Sequence, residues 1–222
     1  MILDTKIRYL QIAFNDDIDL VRRVLPTIMP SRRILIEAGT PYLKREGMRG
    51  VFEIRKHWLG QIVADLKIAD GAVDEAIMAW EAGATAATVL GNSPLETLNL
   101  FIETCDRYNM VSMIDMLGVR DPLKVLLPLA KPPQVVILHR GRDEENTRGK
   151  MIQYKHVSRI RSKYDIIISA AGGVTLREAR SAIFNGANIV VANLVRPGAG
   201  WKGISTDTDV GMLAREFLET IE

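Results

Sequence analysis

One short stretch of the chain places two carboxylates and one amine within six residues. Asp65, Lys67 and Asp70 form the pattern D-x-K-x-x-D directly after a short apolar run. Burying such groups together costs free energy unless they pair with one another or bind something else. A lysine beside carboxylates is therefore either part of a structural ion pair or a proton donor whose pKa its neighbours set. Taken alone the spacing favours the ion pair, so the surrounding elements must decide.

The composition is that of an ordinary soluble globular protein. The 222 residues are 47% hydrophobic and 25% charged, with a formal net charge of +2. This charge gives no basic field of the kind that nucleic-acid-binding proteins carry, so we expect no nucleic-acid partner. Cys105 is the single cysteine, which excludes an intrachain disulfide and fits a reducing compartment. No run could span a membrane and the N-terminus lacks a signal-peptide pattern, so we expect a cytoplasmic protein without membrane contact.

A short apolar run followed by a turn and an amphipathic segment recurs along the chain. The predicted strands are residues 9–14, 34–37, 62–66, 86–90, 111–114, 135–138, 166–169 and 189–191. The predicted helices are residues 16–29, 41–57 with a break at Gly47, 72–82, 93–108 capped by Asn92 or Ser93, 122–130, 154–162, 176–185 and 208–221. Eight such units without a linker predict an α/β protein with a single domain over residues 1–222, a (β/α)₈ TIM barrel. A doubly wound open sheet is the alternative, but no G-x-G-x-x-G follows the first strand.

Polar residues at the predicted strand ends share one rim of this barrel. In TIM barrels the active site lies at the carboxyl ends of the strands. The residues at those ends are Asn15, Glu37, Asp65, Lys67, Asp70, Asn92, Asp115, His139, Arg142, Gly172, Gly173, Ala192 and Asn193. Surface charges placed by chance would scatter over helix faces instead. The clustering therefore favours a catalytic role for Lys67.

Glu37 and Asp65 are the candidate ligands of Mg²⁺, a hard ion that keeps waters and takes few protein carboxylates. The ion would stabilise the oxyanion of an enediolate on a sugar phosphate. Lys67 would then donate or remove a proton. Asp115 and His139 would be further acid–base or hydroxyl-orienting groups. The alternative for His139 is a structural histidine in the core, with its ring nitrogens hydrogen-bonded to other protein groups.

Gly172 and Gly173 follow the seventh predicted strand and precede a helix that begins near Thr175. Backbone N–H groups in such a turn, together with the helix N-terminus, form a phosphate cradle. TIM barrels commonly bind phosphate at the loops after strands seven and eight. We therefore predict a phosphate site here, with a plain turn as the alternative.

A series of motifs runs along nearly the whole chain. They are, in order, Glu37-Ala-Gly-Thr-Pro, Ala64-Asp65-Leu-Lys67-x-x-Asp70, Gly83-Ala, Thr88-Val-Leu-Gly91, Asp115 and His139-x-Gly-x-Asp. This series resembles that of the orotidine-5′-phosphate decarboxylase superfamily. Within the superfamily the chain looks most like 3-hexulose-6-phosphate synthase and its sister, 3-keto-L-gulonate-6-phosphate decarboxylase. Asp70 is followed by Gly71-Ala72 as in this branch, whereas orotidylate decarboxylases usually continue the motif with Ile-Pro.

The resemblance implies a homodimer of barrels whose two active sites lie at the shared interface. Glu37 and Asp65 would hold Mg²⁺, Lys67 would lie against a 1,2-enediolate, and Asp70 would reach into the partner's site. In the synthase branch the reaction is the aldol addition of formaldehyde to D-ribulose 5-phosphate. In the decarboxylase branch the same intermediate arises by loss of CO₂ and is then protonated. We therefore expect a Mg²⁺-dependent carbon–carbon lyase that acts on a phosphorylated sugar.

The positions that separate the two branches disagree. Asp115 and Gly141 are similar to the synthase. Arg142 is similar to the decarboxylase, in which an arginine three residues after the histidine assists protonation. The synthase type is our first hypothesis. A decarboxylase of a keto-sugar phosphate or of orotidylate is the second, and a non-catalytic barrel that binds a phosphorylated metabolite is the third.

Two departures from both branches support that third hypothesis. Asn15 stands where both usually place an aspartate. Ala192-Asn193-Leu194 replaces the usual Gly-Arg or Gly-Gly phosphate loop, and Arg196 is a candidate for the missing positive charge. By resemblance, Asn15, Ala192 and Asn193 join Gly172 and Gly173 as residues that bind the substrate or its phosphate.

Overall fold

Eight parallel strands close into a barrel in the computed structural model, which describes residues 3–222. The strands are Tyr9–Phe14 (β1), Ile34–Ala38 (β2), Gln61–Ile68 (β3), Ala86–Leu90 (β4), Val111–Asp115 (β5), Val135–His139 (β6), Ile167–Ala171 (β7) and Ile189–Val195 (β8). Each strand pairs with the next along the chain, and β8 also pairs with β1. The predicted (β/α)₈ barrel is confirmed, and the open-sheet alternative is wrong.

Helices on the outside of the barrel connect these strands. They are Ile18–Val24 (α1), Thr40–Glu46 (α2), Met48–His57 (α3), Ala72–Glu81 (α4), Leu95–Arg107 (α5), Pro122–Leu126 (α6), Val157–Arg161 (α7), Leu176–Phe184 (α8) and Val210–Thr220 (α9). Short 3₁₀ turns cover Leu25–Thr27, Arg142–Glu144 and Tyr154–His156. In residues 3–222 no helix has the length and apolar character needed to cross a membrane.

The predicted elements differ from the observed ones mainly at their ends. The helix α5 begins at Leu95, after Pro94, and not at Asn92 or Ser93. The hydroxyl of Ser93 donates to the carbonyl of Ile68 instead of capping the helix, which ties this loop to the end of β3. A short strand, Ile204–Ser205 (β9), pairs with the end of β8 and was not predicted, because a two-residue strand carries no periodic pattern.

Side chains along each strand alternate between the barrel interior and the layer of helices. The apolar interior contains Leu3, Tyr9, Ala13, Leu35, Val63, Ala86, Val111, Met113, Val135, Ile137, Ala171, Ile189 and Val191. A second and larger core fills the space between the strands and the helices. The alternation also turns polar residues toward the interior. Those toward the carboxyl ends of their strands are Glu37, Asp65, Thr88, Asp115, His139 and Asn193, whereas Gln11, Gln61 and Ser169 come earlier in theirs.

Candidate active site

The ammonium of Lys67 lies at the centre of the charged residues in the barrel mouth. Its Nζ atom is 2.5 Å from Oδ2 of Asp65 and 3.2 Å from Oδ2 of Asp115. The ring of His139 contacts the second of these carboxylates, since its Nδ1 atom is 2.8 Å from Oδ2 of Asp115. The strands β3, β5 and β6 thus bring four of the predicted site residues into direct contact.

Two threonine hydroxyls fix the carboxylate of Asp65. Thr40, at the start of α2, donates to Oδ2 of Asp65 at 2.8 Å. Thr88, on β4, donates to Oδ1 at 2.9 Å. With Lys67 also bonded to Oδ2, three donors orient this carboxylate.

The backbone at Lys67 departs from regular strand geometry. Its φ angle is +51°, in the left-handed region that non-glycine residues seldom adopt. The pairing of β3 with β4 shifts register between Ala64 and Ile68, which brackets this residue. The N–H group of Lys67 donates to the hydroxyl of Thr88 at 2.9 Å instead of to a strand carbonyl. Irregular backbone of this kind is often found at functional sites.

Glu37 is a buried carboxylate beside Asp65. Its Oε2 atom accepts a hydrogen bond from Nε2 of Gln11 at 2.5 Å, and no ion pair joins it to a cation within residues 3–222. Burial, and then the charge of Asp65, raise the pKa of Glu37 to about 7. The charge of Lys67 and the hydrogen bond from Gln11 oppose this rise in the pKa.

The donor set fits a magnesium ion better than a metal held by many side chains. No group of three or more His, Cys, Asp or Glu in the described part of the chain is arranged to hold a metal ion. Mg²⁺ usually takes one or two protein carboxylates and completes its shell with water and substrate oxygens. Glu37 and Asp65 could supply these two carboxylates.

The charged neighbours set the protonation of the central residues. Burial alone would lower the pKa of Lys67, but the charges of Asp65 and Asp115 outweigh it and raise the pKa above its ordinary value. Burial would also lower the pKa of His139, but Asp115 raises it. Burial would raise the pKa of Asp115, but His139 and Lys67 hold it below its usual range. Lys67 is therefore an ammonium and Asp115 a carboxylate at neutral pH.

Two connected cavities lie at the mouth of the barrel. The inner one has a volume of about 40 Å³, and the outer one has a volume of about 480 Å³. Lys67, His139, Gly172 and Asn193 line both of them. The inner cavity also contacts Gln11, Glu37, Asp65, Thr88 and Asp115. The outer cavity also contacts Asn15, Thr40, Arg142 and Glu145. Lys67 and His139 therefore lie where the two cavities adjoin.

The turn after β7 has the backbone geometry predicted for Gly172 and Gly173. Both residues have positive φ angles, +107° and +62°. A Cβ atom on Gly172 would lie 2.0 Å from the carbonyl oxygen of Arg140, so only glycine fits there. The buried N–H groups of Gly173 and Val174 find no hydrogen-bond acceptor in the described part of the chain. Unpaired buried N–H groups are rare and are available to an anion.

Arg140 and Glu145 support this turn and were not predicted. The guanidinium of Arg140 is buried and donates to the carbonyl of Gly172 at 2.7 Å. Glu145 is also buried and accepts from the N–H of Lys202 at 3.3 Å. Its carboxylate and the Arg140 guanidinium fill the space where a Cβ atom of Gly173 would lie. The two side chains therefore stabilise the turn formed by Gly172 and Gly173.

The end of β8 contributes Asn193 but not the side chain of Ala192. The amide of Asn15 donates to Oδ1 of Asn193 at 3.1 Å and joins the ends of β1 and β8 at the cavity. The side chain of Ala192 belongs to the core between strands and helices, because it has the opposite strand phase. The prediction of Ala192 as a binding residue is therefore wrong for its side chain, and only its backbone could take part.

Arg142 reaches the outer cavity, whereas Arg196 and Asp70 do not. Arg142 lies on the 3₁₀ turn after β6, with its guanidinium carbon 5.7 Å from the ring centre of Trp201. Arg196 forms an ion pair with Asp16, which lowers the pKa of that carboxyl group, so it is not a free cation for the cavity. Asp70 is exposed beyond β3 and lines neither cavity. Its predicted reach into a partner's site remains a prediction.

A family model and curated relatives match the chain. The model of the orotidine 5′-phosphate decarboxylase / HUMPS family matches residues 10–193. The bifunctional enzyme Fae/Hps of Methanothrix thermoacetophila is 36% identical over 217 residues, which are 96% of this chain and 53% of that enzyme. The Fae/Hps enzyme of Methanosarcina barkeri is 34% identical over 215 residues, which are 96% of this chain and 52% of that enzyme. The chain therefore spans about half the length of these curated relatives.

Solved structures share the fold. The 3-hexulose-6-phosphate synthase from Salmonella typhimurium superposes with a TM-score of 0.77 at 22% identity, covering 96% of this chain and 98% of that one. Another 3-hexulose-6-phosphate synthase gives 0.76 at 25% identity, covering 96% and 100%. The enzyme KGPDC from Streptococcus mutans gives 0.74 at 20% identity, covering 97% of each chain. The family model, the curated relatives and the barrel agree, and they confirm the resemblance drawn from the motifs: the chain belongs to the orotidine 5′-phosphate decarboxylase / HUMPS family.

Proposed function

We propose that the chain is a carbon–carbon lyase of the 3-hexulose-6-phosphate synthase type, which adds formaldehyde to D-ribulose 5-phosphate or runs the reverse reaction. The observation that carries this proposal is the ammonium of Lys67, held between Asp65 and Asp115 at the base of a cavity. Membership of the family and the names of the Fae/Hps and synthase relatives support it.

The chemistry needs a negative charge to be stabilised next to a carbon that loses a proton. Removal of a proton from C1 of the sugar gives an enediolate. Its C1 then forms a bond with the carbon of formaldehyde while the C=O π bond of formaldehyde opens, and the removed proton returns to the alkoxide oxygen that results. Because Lys67 is an ammonium, it would stabilise the enediolate oxygen rather than act as the base. His139 bonds Asp115 through Nδ1, which leaves Nε2 to exchange the proton at C1.

The proposal includes Mg²⁺ held by Glu37 and Asp65. When bound, the ion would add Lewis-acid stabilisation of the sugar oxygens next to the reacting carbon. Gln11 would orient Glu37, and Thr40 and Thr88 would orient Asp65. Each carboxylate thus has side chains that fix its direction.

The phosphate of the substrate would lie at the turn after β7. The unpaired N–H groups of Gly173 and Val174 point to an anion there, and Arg142 would add a positive charge at the outer cavity. Asn193, held by Asn15, would contact the sugar between this turn and Lys67.

A decarboxylase of a keto-sugar phosphate is the second candidate. The observation that favours it is Arg142, which lines the outer cavity three residues after His139 and would place a proton source near the reacting carbon. Its guanidinium lies over Trp201, so it is directed by packing as well as by charge.

The assay that tests the proposed function is formaldehyde-dependent loss of ribulose 5-phosphate. The Lys67→Ala variant should lower the rate by about 100-fold or more, because the charge that stabilises the enediolate is lost. Lys131→Ala is the control, since Lys131 pairs with Asp106 on the surface. Unchanged turnover in Lys67→Ala would contradict the mechanism, and faster CO₂ release from 3-keto-L-gulonate 6-phosphate would favour the decarboxylase.

Magnesium binding has a test that needs no turnover. Added Mg²⁺ should raise the unfolding temperature of the chain in proportion to the logarithm of its concentration above Kd. Glu37→Gln should abolish this rise, because an amide replaces a ligand carboxylate. Glu81→Gln, on the exposed face of α4, should retain it. An equal rise in both variants would exclude Glu37 as a ligand.

The contact between Asp115 and His139 predicts a pH dependence of stability. The raised pKa of His139 contributes stability that is present in full below about pH 6.5 and is lost as the pH rises through the folded-state pKa. The lowered pKa of Asp115 contributes stability that is lost as the pH falls. His139→Asn should therefore reduce the free energy of unfolding more near pH 6 than near pH 9.

The control for this measurement has the opposite sign. Burial lowers the pKa of His156, so the stability lost in His156→Asn should be smaller near pH 6 than near pH 9. Urea unfolding at the two pH values measures both variants. The same pH trend in both would contradict the assigned pairing of His139 with Asp115.

The proposal also includes a homodimer whose sites take Asp70 from the partner. Asp70→Ala and Lys67→Ala should each be inactive alone. Mixed and reassembled, they should regain about a quarter of wild-type activity, because half of the dimers are mixed and each mixed dimer has one intact site. Light scattering measures the dimer, and no recovery from a mixture shown to contain mixed dimers would exclude shared sites.

A further inference from the structure

The left-handed backbone conformation of Lys67 must be stabilised by contacts with the surrounding residues. A lysine at φ +51° costs about 1–2 kcal/mol relative to the β region. Such a conformation persists only when the surrounding structure fixes it. The residue lies in the register shift between β3 and β4. Its N–H group therefore bonds the hydroxyl of Thr88 and not a carbonyl of the neighbouring strand.

The hydroxyl of Thr88 is bonded to both functional residues of β3. It accepts from the N–H of Lys67 at 2.9 Å and donates its single proton to Oδ1 of Asp65 at 2.9 Å. These directions are fixed, because a backbone N–H can only donate and a carboxylate can only accept. Thr88 is 1% exposed, so water does not replace it.

We propose that Thr88 is a positioning residue that places the ammonium of Lys67 between the two carboxylates. Without the hydroxyl, the N–H of Lys67 and one oxygen of Asp65 would both lose a partner, and the backbone would relax toward an ordinary strand conformation. The side chain of Lys67 would then leave the position at which it contacts Asp65 and Asp115. The role in catalysis rests on the proposed function, in which Lys67 faces the enediolate.

Thr40 has a different effect, although it also bonds Asp65. Its hydroxyl reaches Oδ2 and the carbonyl oxygen of Asp65, both at 2.8 Å, but not the backbone of Lys67. Thr88 bonds both the carboxylate of Asp65 and the backbone N–H of Lys67. Thr40 therefore orients Asp65, and Thr88 fixes the geometry of the pair.

The chain offers a matched control at the other end of the same two strands. Thr85 accepts from the N–H of Ile62 at 2.8 Å and contacts its carbonyl oxygen at 3.2 Å. This bond also joins a hydroxyl at β4 to the backbone of β3, but it lies far from the cavities. Thr85→Val thus reports the structural cost of losing such a bond without a change at Lys67.

The test compares Thr88→Val, Thr88→Ser and Thr85→Val. Valine keeps the shape of threonine and removes the hydroxyl, whereas serine keeps the hydroxyl. Thr88→Val should lower kcat about 10- to 100-fold and change KM for the sugar phosphate by less than about threefold, because it misplaces the reacting group more than it weakens substrate binding. Thr88→Ser should restore kcat to within about fivefold of wild type. Thr85→Val should lose stability but keep kcat.

A second readout separates this inference from the proposed function. Backbone chemical shifts of Lys67, measured by NMR on the protein without substrate, report its φ angle. They should move to strand values in Thr88→Val but not in Thr85→Val or Thr88→Ser. If wild type lacks lyase activity but these shifts move as expected, the proposed function fails and the positioning role stands. If Thr88→Val keeps both the wild-type shifts and the wild-type kcat, the positioning role is wrong.

Discussion

The structure of the site depends on the contact of one ammonium with two carboxylates. Lys67 lies between Asp65 and Asp115, and neither carboxylate is exposed to bulk water. Breaking such a buried pair costs about 3–5 kcal/mol, because one charge is left uncompensated. Glu37 lies beside this group, and because burial raises its pKa to about 7, its charge changes near neutral pH. The net charge of the cluster therefore depends on the protonation of Glu37 and His139.

Much of this arrangement could be predicted from the sequence, because parallel strands order their carboxyl ends along one rim. Once eight strand–helix units were recognised, Glu37, Asp65, Asp115 and His139 had to lie at the same end of the barrel. Period-two alternation then turns each of them inward, since Leu35, Val63, Met113 and Ile137 precede them in the interior core. The inward direction of these four side chains follows from strand geometry alone and needs no motif specific to a family.

Other site residues could not be predicted, because their role depends on bonds that the sequence does not show. Thr40, Thr88 and Gln11 have types common in any strand or helix start, and only their bonds to Asp65 and Glu37 reveal them. Strand alternation from Ala86 puts Thr88 on the inner face, and the same rule puts the side chain of Ala192 outside the cavity. Arg140 directly follows His139 in the sequence, and only the structure shows that it is buried and donates to the carbonyl of Gly172.

The hydrogen bond between Asn15 and Asn193 spans the point where the barrel closes. It joins the ends of the first and last barrel strands, which are 178 positions apart in the chain. Contacts of such long range form late, since the loop between them must first be ordered. Every partial product of synthesis that ends before β8 lacks this wall of the cavity. The outer cavity therefore has its full set of lining residues only once β8 has paired with β1 and closed the ring.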